Sequence, residues 1–189
     1  MIAEAVESTV RTITFASWVE RWHDFYILAG TAAVTLAGLL FVALSLHIDQ
    51  LVEPSHEHLL ALSRATLTSF VSVLMASLFM LVPPLGARPV GVFLTLLAVM
   101  GIVVTVVYAR GAQHHEEAGF SRRQMRRRLL FPILGYLLML TGGVGVYLRI
   151  PEMLYQMIGA IGMILGNAAG TAWELLVTVA KQKRARQRA

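Results

Sequence analysis

Cysteine is absent from this 189-residue chain, which excludes disulfides, thiolate metal sites and a cysteine nucleophile. Charge is also scarce: 14% of residues are Asp, Glu, Lys or Arg, against 57% hydrophobic, whereas soluble domains carry about 25% charged residues. Combinations that cut bonds inside a membrane are missing too. Such sites need a serine with a histidine or lysine, paired aspartates or a zinc motif, set deep in a span. No apolar stretch here holds one, so neither enzyme activity nor a cofactor is expected. The start of the chain lacks the basic, apolar, small-residue order of a secretory leader, since Glu4, Glu7, Arg11, Glu20, Arg21 and Asp24 fall within it. The first apolar stretch is therefore expected to be retained.

What is present is five long apolar runs, at residues 26–46, 59–82, 90–109, 129–148 and 153–180. Each reaches the roughly 20 residues that a helix needs to cross a bilayer. The expected fold is all-α: an integral membrane bundle of five transmembrane helices with an N-terminal amphipathic interfacial helix. Residues 1–24 would form the arm, 25–180 the transmembrane domain and 181–189 a basic tail. In the arm, Val6, Val10, Ile13, Trp18 and Trp22 recur near helical spacing, and the two tryptophans suit the headgroup region. Pro83, Pro84, Gly86 and Pro89 predict a tight turn between the second and third spans, and Pro151 a similar one between the fourth and fifth. Pro132 lies near the start of the fourth span, where proline is tolerated. No internal repeat suggests an inverted-repeat carrier.

The net charge of +5 is explained by topology and not by nucleic acid, because the basic residues sit beside spans. Arg110, Arg122, Arg123, Arg126, Arg127 and Arg128 lie between the third and fourth spans, and Lys181, Lys183, Arg184, Arg186 and Arg188 follow the fifth. Both clusters fall on one side, which positive-inside bias assigns to the cytoplasm. The N-terminus would then lie outside and the C-terminus inside. Beside the bilayer itself, anionic lipid is an expected partner of these clusters.

Small and polar residues inside the spans point to packing. Gly162, Gly166 and Gly170 form a small-xxx-small tandem, which lets helices approach closely in lipid, and Glu174 continues that ridge. Arg64 is the only basic residue well inside a span, and Glu174 lies at similar depth on an antiparallel helix. The stripe Arg64, Thr68, Ser72, Ala76 would thus oppose Glu174, Gly170, Gly166, Gly162, pairing the second and fifth spans. Arg64 with Glu174 reads as an ion pair fixing register; alternatively it is a gate, with Asn167 extending the polar track through Thr68 and Ser72. Ala29, Ala33 and Ala37, with Gly30 and Gly38, mark the first span as buried in the bundle or in an oligomer, and its Thr31, Thr35 and Ser45 are expected to bond back to their own helix. The third span, without charge or glycine ridge, is expected to face lipid.

Two loops combine imidazole with carboxylate. His47, Asp49, His56 and His58 are candidate zinc ligands, and His114, His115, Glu116 and Glu117 form a second group. No His-x-x-x-His pair places two ligands on one helix face, so a solvated polar edge is the competing reading.

The stretch Trp22-His-Asp-Phe-Tyr26, followed by Gly30-Thr-Ala-Ala and by residues 36–46, resembles the start of a family of small bacterial multi-spanning membrane proteins. Ala172-Trp-Glu-Leu-Leu176 resembles that family's ending. Members sometimes bear the provisional label "modulator of FtsH protease", a membrane-anchored AAA+ protease. The resemblance implies the bacterial plasma membrane and offers no site residues. The expected function is that of a small regulatory or structural partner in a membrane complex, acting through helix-helix contact. A homo-oligomeric ion channel or small transporter is the alternative.

Overall fold

A backbone in lipid must satisfy its own hydrogen-bonding groups, and an apolar run of this length does so only as a helix. In the computed structural model each of the five runs forms one. The structure describes residues 17, 19–46, 57–82, 86–113 and 122–186. Helix α1 spans His23–Ser45, α2 Glu57–Leu81, α3 Ala87–Gln113, α4 Arg122–Tyr147 and α5 Gln156–Arg186, with a short 3-10 turn at Pro151–Tyr155 before α5. All five are long and apolar enough to cross a membrane. The molecule is a multi-pass membrane protein with an all-α bundle.

Two polar segments expected as loop and tail are helical instead. Arg122 to Arg128 form the first turns of α4, and α5 runs on through Lys181 to Arg186. Arginine and lysine are good helix formers, so nothing stops these helices at the apolar boundary. Trp18 and most of the expected arm lie outside the described residues.

Packing closes four of the helices into a ring. Helix α2 lies against α3, α3 against α4, α4 against α5, and α5 back against α2; α1 packs outside this ring, mainly on α2. The first span is thus the peripheral one, with 17% of its residues buried against 28% for the third and 44% for the second and fourth. Within the chain the first span, expected to be buried in the bundle or in an oligomer, is the least covered of the five, and the third, expected to face lipid, is the next least. The small residues of α1 do make a contact face, with Ala29 and Ala33 buried and Gly30 against Ser77, but Gly38 meets nothing. Thr35 and Ser45 bond back to the carbonyls of Thr31 and Phe41, as expected of hydroxyls in an apolar helix.

Neighbouring helices of the ring run antiparallel: Gly91 of α3 meets Tyr147 of α4 while Gly101 meets Tyr136, and Gly135 of α4 meets Ile164 of α5 while Gly142 meets Met157. The end of the bundle holding the α2–α3 and α4–α5 connections is termed here the hairpin end. There Phe79 of α2 stacks on Phe93 of α3, with centroids 3.8 Å apart. Trp22, beside the start of α1, meets Phe25 and, on the 3-10 turn, Tyr155, both edge to face at 5.7 and 5.0 Å. The end of α4 is a Schellman closure: Ile150 N–H reaches Gly145 O and Arg149 N–H reaches Val146 O, each at 2.9 Å. Arg149 holds the left-handed position of that motif at φ 64°, a place usually given to glycine.

Candidate functional site

Helix α2 brings the polar interior. Ser63, Thr66, Ser69, Ser72 and Ser77 are all buried, and Thr171 of α5 joins them. Threonine and serine can be buried in a helix because the hydroxyl bonds to the carbonyl one turn back. Thr66 donates to Leu62 O, Ser69 to Ala65 O and Ser72 to Thr68 O at 2.9–3.1 Å, and Thr171 donates to Asn167 O at 2.9 Å. Each such hydroxyl keeps acceptor capacity. Tyr136 of α4 uses one of these, donating from its buried phenol to Ser72 Oγ at 3.3 Å. The bond crosses between α2 and α4 near the middle of the bundle. Two further hydroxyls, those of Tyr26 and Ser77, are buried without a hydrogen-bond partner.

No charged side chain is buried among the described residues. The interior can therefore solvate a neutral hydrogen-bonding group, and it offers an ion no counter-charge. A buried ion without one is costly.

The pairing of α2 with α5 has the expected register and a different face. Leu62 packs against Leu175, and Phe70 shares a cluster with Ala168, which sets the same antiparallel level as the anticipated Arg64–Glu174 rung. The face α5 turns inward, however, carries Ala160, Ile161, Ile164, Ala168, Thr171 and Leu175. Gly162, Gly166 and Gly170 point outward, exposed, and a Cβ on any of them would meet no atom within 4 Å. They do not pack on the second span.

Arg64 and Glu174 are exposed on the bundle surface, not buried as a pair between two helices. The reason is depth. Each lies within about one helical turn of the span end at Leu60 or Val177, where a long charged side chain can reach the interface. Of the expected polar track, Ser72 is buried while Thr68 and Asn167 are only partly so. His47, Asp49, His56 and His58 lie outside the described residues, as do His114, His115, Glu116 and Glu117. Among the described residues no group of three or more metal-ligating side chains forms.

The closest approaches fall between α3 and α4, whose glycines follow no four-residue repeat. A Cβ on Gly91 of α3 would lie 2.5 Å from Tyr147 N and 2.7 Å from Gly143 O of α4, so two backbones touch there. Gly143 in turn faces Thr95 N at 2.9 Å. Further along this pair, a Cβ on Gly101 would collide with the Tyr136 ring, while Gly135, Gly142 and Gly145 of α4 make room for Ile164, Met157 and Met153. The glycines of α3 and α4 thus seat the large side chains of the core, and Gly101 lets the Tyr136 phenol reach α2.

No protein-family model, curated protein or solved structure matches this chain. Its function is argued from its own surfaces.

Proposed function

We propose that this protein works by helix-helix association in a bacterial plasma membrane, as a small regulatory or structural partner of another membrane-embedded chain, with the outer face of α5 as the docking surface. One observation carries the reading. Eight glycines, Gly30, Gly91, Gly101, Gly135, Gly142, Gly143, Gly145 and Gly159, are spent on tight contacts inside the bundle, but Gly162, Gly166 and Gly170 line up at four-residue spacing with open space beyond them. Such a groove admits a second helix backbone. Against lipid alone, glycine in a helix only loses stability relative to alanine. The resemblance of the Trp22 and Ala172 stretches to the bacterial family supports the compartment, and positive-inside bias supports an external N-terminus with the basic clusters cytoplasmic, against anionic lipid.

The cysteine-free sequence makes the test direct. Single cysteines replacing Gly162, Gly166, Gly170 and, as control, the lipid-facing Val103 of α3 are oxidised or cross-linked in native membranes. Adducts should form at the three glycine positions, and those of Gly162→Cys and Gly170→Cys should vanish in a Gly166→Leu background that still folds. Cross-linking no stronger than at Val103 rejects this surface.

The hydroxyl-lined interior favours a second reading, a transporter for a small neutral solute. Purified protein in planar bilayers and in flux assays separates the two.

A further inference from the structure

Arginines that lie far apart in the sequence share one depth in the bundle. The contacts between helices set the levels. Gly91 and Gly101 of α3 meet Tyr147 and Tyr136 of α4, and Gly135 and Gly142 of α4 meet Met163 and Met157 of α5. Leu62 of α2 meets Leu175 of α5. Every α-helix rises by the same amount per residue, so counting on from these contacts toward the basic end aligns the remaining residues. Arg110 of α3 falls level with Arg127 of α4. Arg128 falls level with Gly170 of α5, and Arg122 with Leu176. Arg64 of α2, exposed on the surface, falls level with Trp173. A slab about 9 Å thick, the rise of seven residues, thus holds Arg64, Arg110 and the five arginines from Arg122 to Arg128.

One acid stands in that slab. Met153, Gln156, Ala160 and Met163 of α5 meet glycines of α4, and the three- and four-residue steps of that stripe lead through Asn167 to Glu174. Glu174 therefore lies on the side of α5 that adjoins α4, level with the arginines. No other Asp or Glu of the described residues falls at this level, so a single carboxylate stands among seven cations. Like charges crowded at one depth raise the local potential and draw in anions. Arginine is suited to one anion above all, since its planar fork matches the oxygens of a phosphate.

The same slab is also apolar. Trp173 and Leu176 are 69% and 37% exposed there, and the span itself runs on to Val177. A soluble anion has no use for an indole and a leucine beside its cations. A phosphate with acyl chains attached uses both.

We infer that the basic end of the bundle is a belt that holds the phosphate of an anionic phospholipid, formed across α2, α3 and α4 by Arg64, Arg110 and the arginines from Arg122 to Arg128, with the acyl chains along Trp173 and Leu176. The belt rests on the reading of the basic clusters against anionic lipid and adds where the lipid is held. Lys181, Lys183, Arg184 and Arg186 stand about 8 to 15 Å beyond the slab on α5 and contribute less, although they form a cluster of their own in the sequence. Docking at Gly162, Gly166 and Gly170 can fail with the belt intact, because cross-linking there does not depend on lipid charge.

Tryptophan fluorescence tests the belt. Trp18→Phe with Trp22→Phe leaves Trp173 as the one tryptophan of the original three. This chain is reconstituted in phosphatidylcholine vesicles that carry a minor fraction of brominated phosphatidylglycerol or, as control, of brominated phosphatidylcholine. Quenching of Trp173 should show the anionic lipid enriched at least about fivefold, the worth of one such charge near a membrane. Arg64→Gln and Arg127→Gln should each lower the enrichment at least about twofold, and Arg64→Lys should keep it. Replacing all four tail cations by glutamine should cost less than Arg64→Gln alone.

Equal quenching by the two brominated lipids overturns the belt together with the reading it rests on. A preference that survives Arg64→Gln and disappears with the tail overturns the belt alone. Inorganic phosphate, compared with chloride at equal ionic strength, should leave the preference unchanged; its loss would mark a site for the free anion and overturn the lipid assignment. Native mass spectrometry of the chain with all three tryptophans gives a second readout. Phosphatidylglycerol should stay bound in preference to phosphatidylcholine, and retention undiminished in Arg64→Gln counts against the belt.

Discussion

At the scale of single residues, the closest approach of one helix backbone to another among the described residues is Gly91 against the end of α4. The atoms that a Cβ would meet there belong to the backbone, Tyr147 N and Gly143 O, and backbone cannot turn aside as a flexible side chain can. Gly91→Ala should therefore destabilise the fold by about 1–3 kcal/mol, the usual range for overpacking. Gly166→Ala inverts the sign, because its Cβ enters open space and alanine is the better helix former by about 1 kcal/mol. Unfolding of both variants by SDS in mixed micelles compares them, and an equal loss in the two would contradict the assigned contacts. These opposite roles could not be told from the sequence. Gly162, Gly166 and Gly170 repeat every four residues and look like an interface, while Gly91 and Gly101 stand ten apart and look incidental. What gives Gly91 its role is Gly143 on another helix, and pairings between helices leave no local mark.

Whole elements were legible in position and not in rotation. Five runs of sufficient length fixed where the spans lie, and the depth of Arg64 and Glu174 placed α2 and α5 at the right relative height. Which face α5 turns inward was not readable. In water the inner face of a helix is the apolar one, but in lipid both faces are apolar, so periodicity loses its power. The two stripes of α5, glycine-bearing and Ile164–Ala168–Leu175, differ only in which one the neighbours meet. The same ambiguity hid how little of α1 the rest of the chain covers. A double-cysteine experiment checks the rotation: Leu62→Cys with Leu175→Cys, two residues in contact, should form a disulfide under mild oxidation. Ala76→Cys with Gly162→Cys, partners in the anticipated arrangement, should not. The reverse outcome would turn α5 by roughly 150° about its axis, the angle between its two stripes at about 100° per residue. Of the candidate site, Ser72 was legible as a polar interior residue. Tyr136, Tyr26 and Ser77 were not, because a lone tyrosine or serine in an apolar run reads as packing until its neighbours are known.

The molecule as a whole is asymmetric from one membrane face to the other. Its basic helix ends, Arg110, Arg122 to Arg128 and Lys181 to Arg186, share one end, and the aromatic contacts of Trp22, Phe79, Phe93 and Tyr155 gather at the other. With one reporter active only in the cytoplasm and another active only outside, fusions after residue 189 should light the first and fusions before residue 1 the second. A signal from the first reporter at the N-terminus would reverse the orientation.

The ring also has an order of manufacture. Ser72 waits for Tyr136, 64 residues later in the chain, and Leu62 waits longer still, for Leu175 on the last span. Until α4 and α5 are made, the hydroxyl face of α2 has only α1 and α3 beside it, and the lipid can offer it no hydrogen bond. A chain stopped after its third helix would keep the hydroxyls of Thr66, Ser69 and Ser72 bonded to their own helix but leave that face of α2 uncovered, so the ring closes only when the final helix has been made.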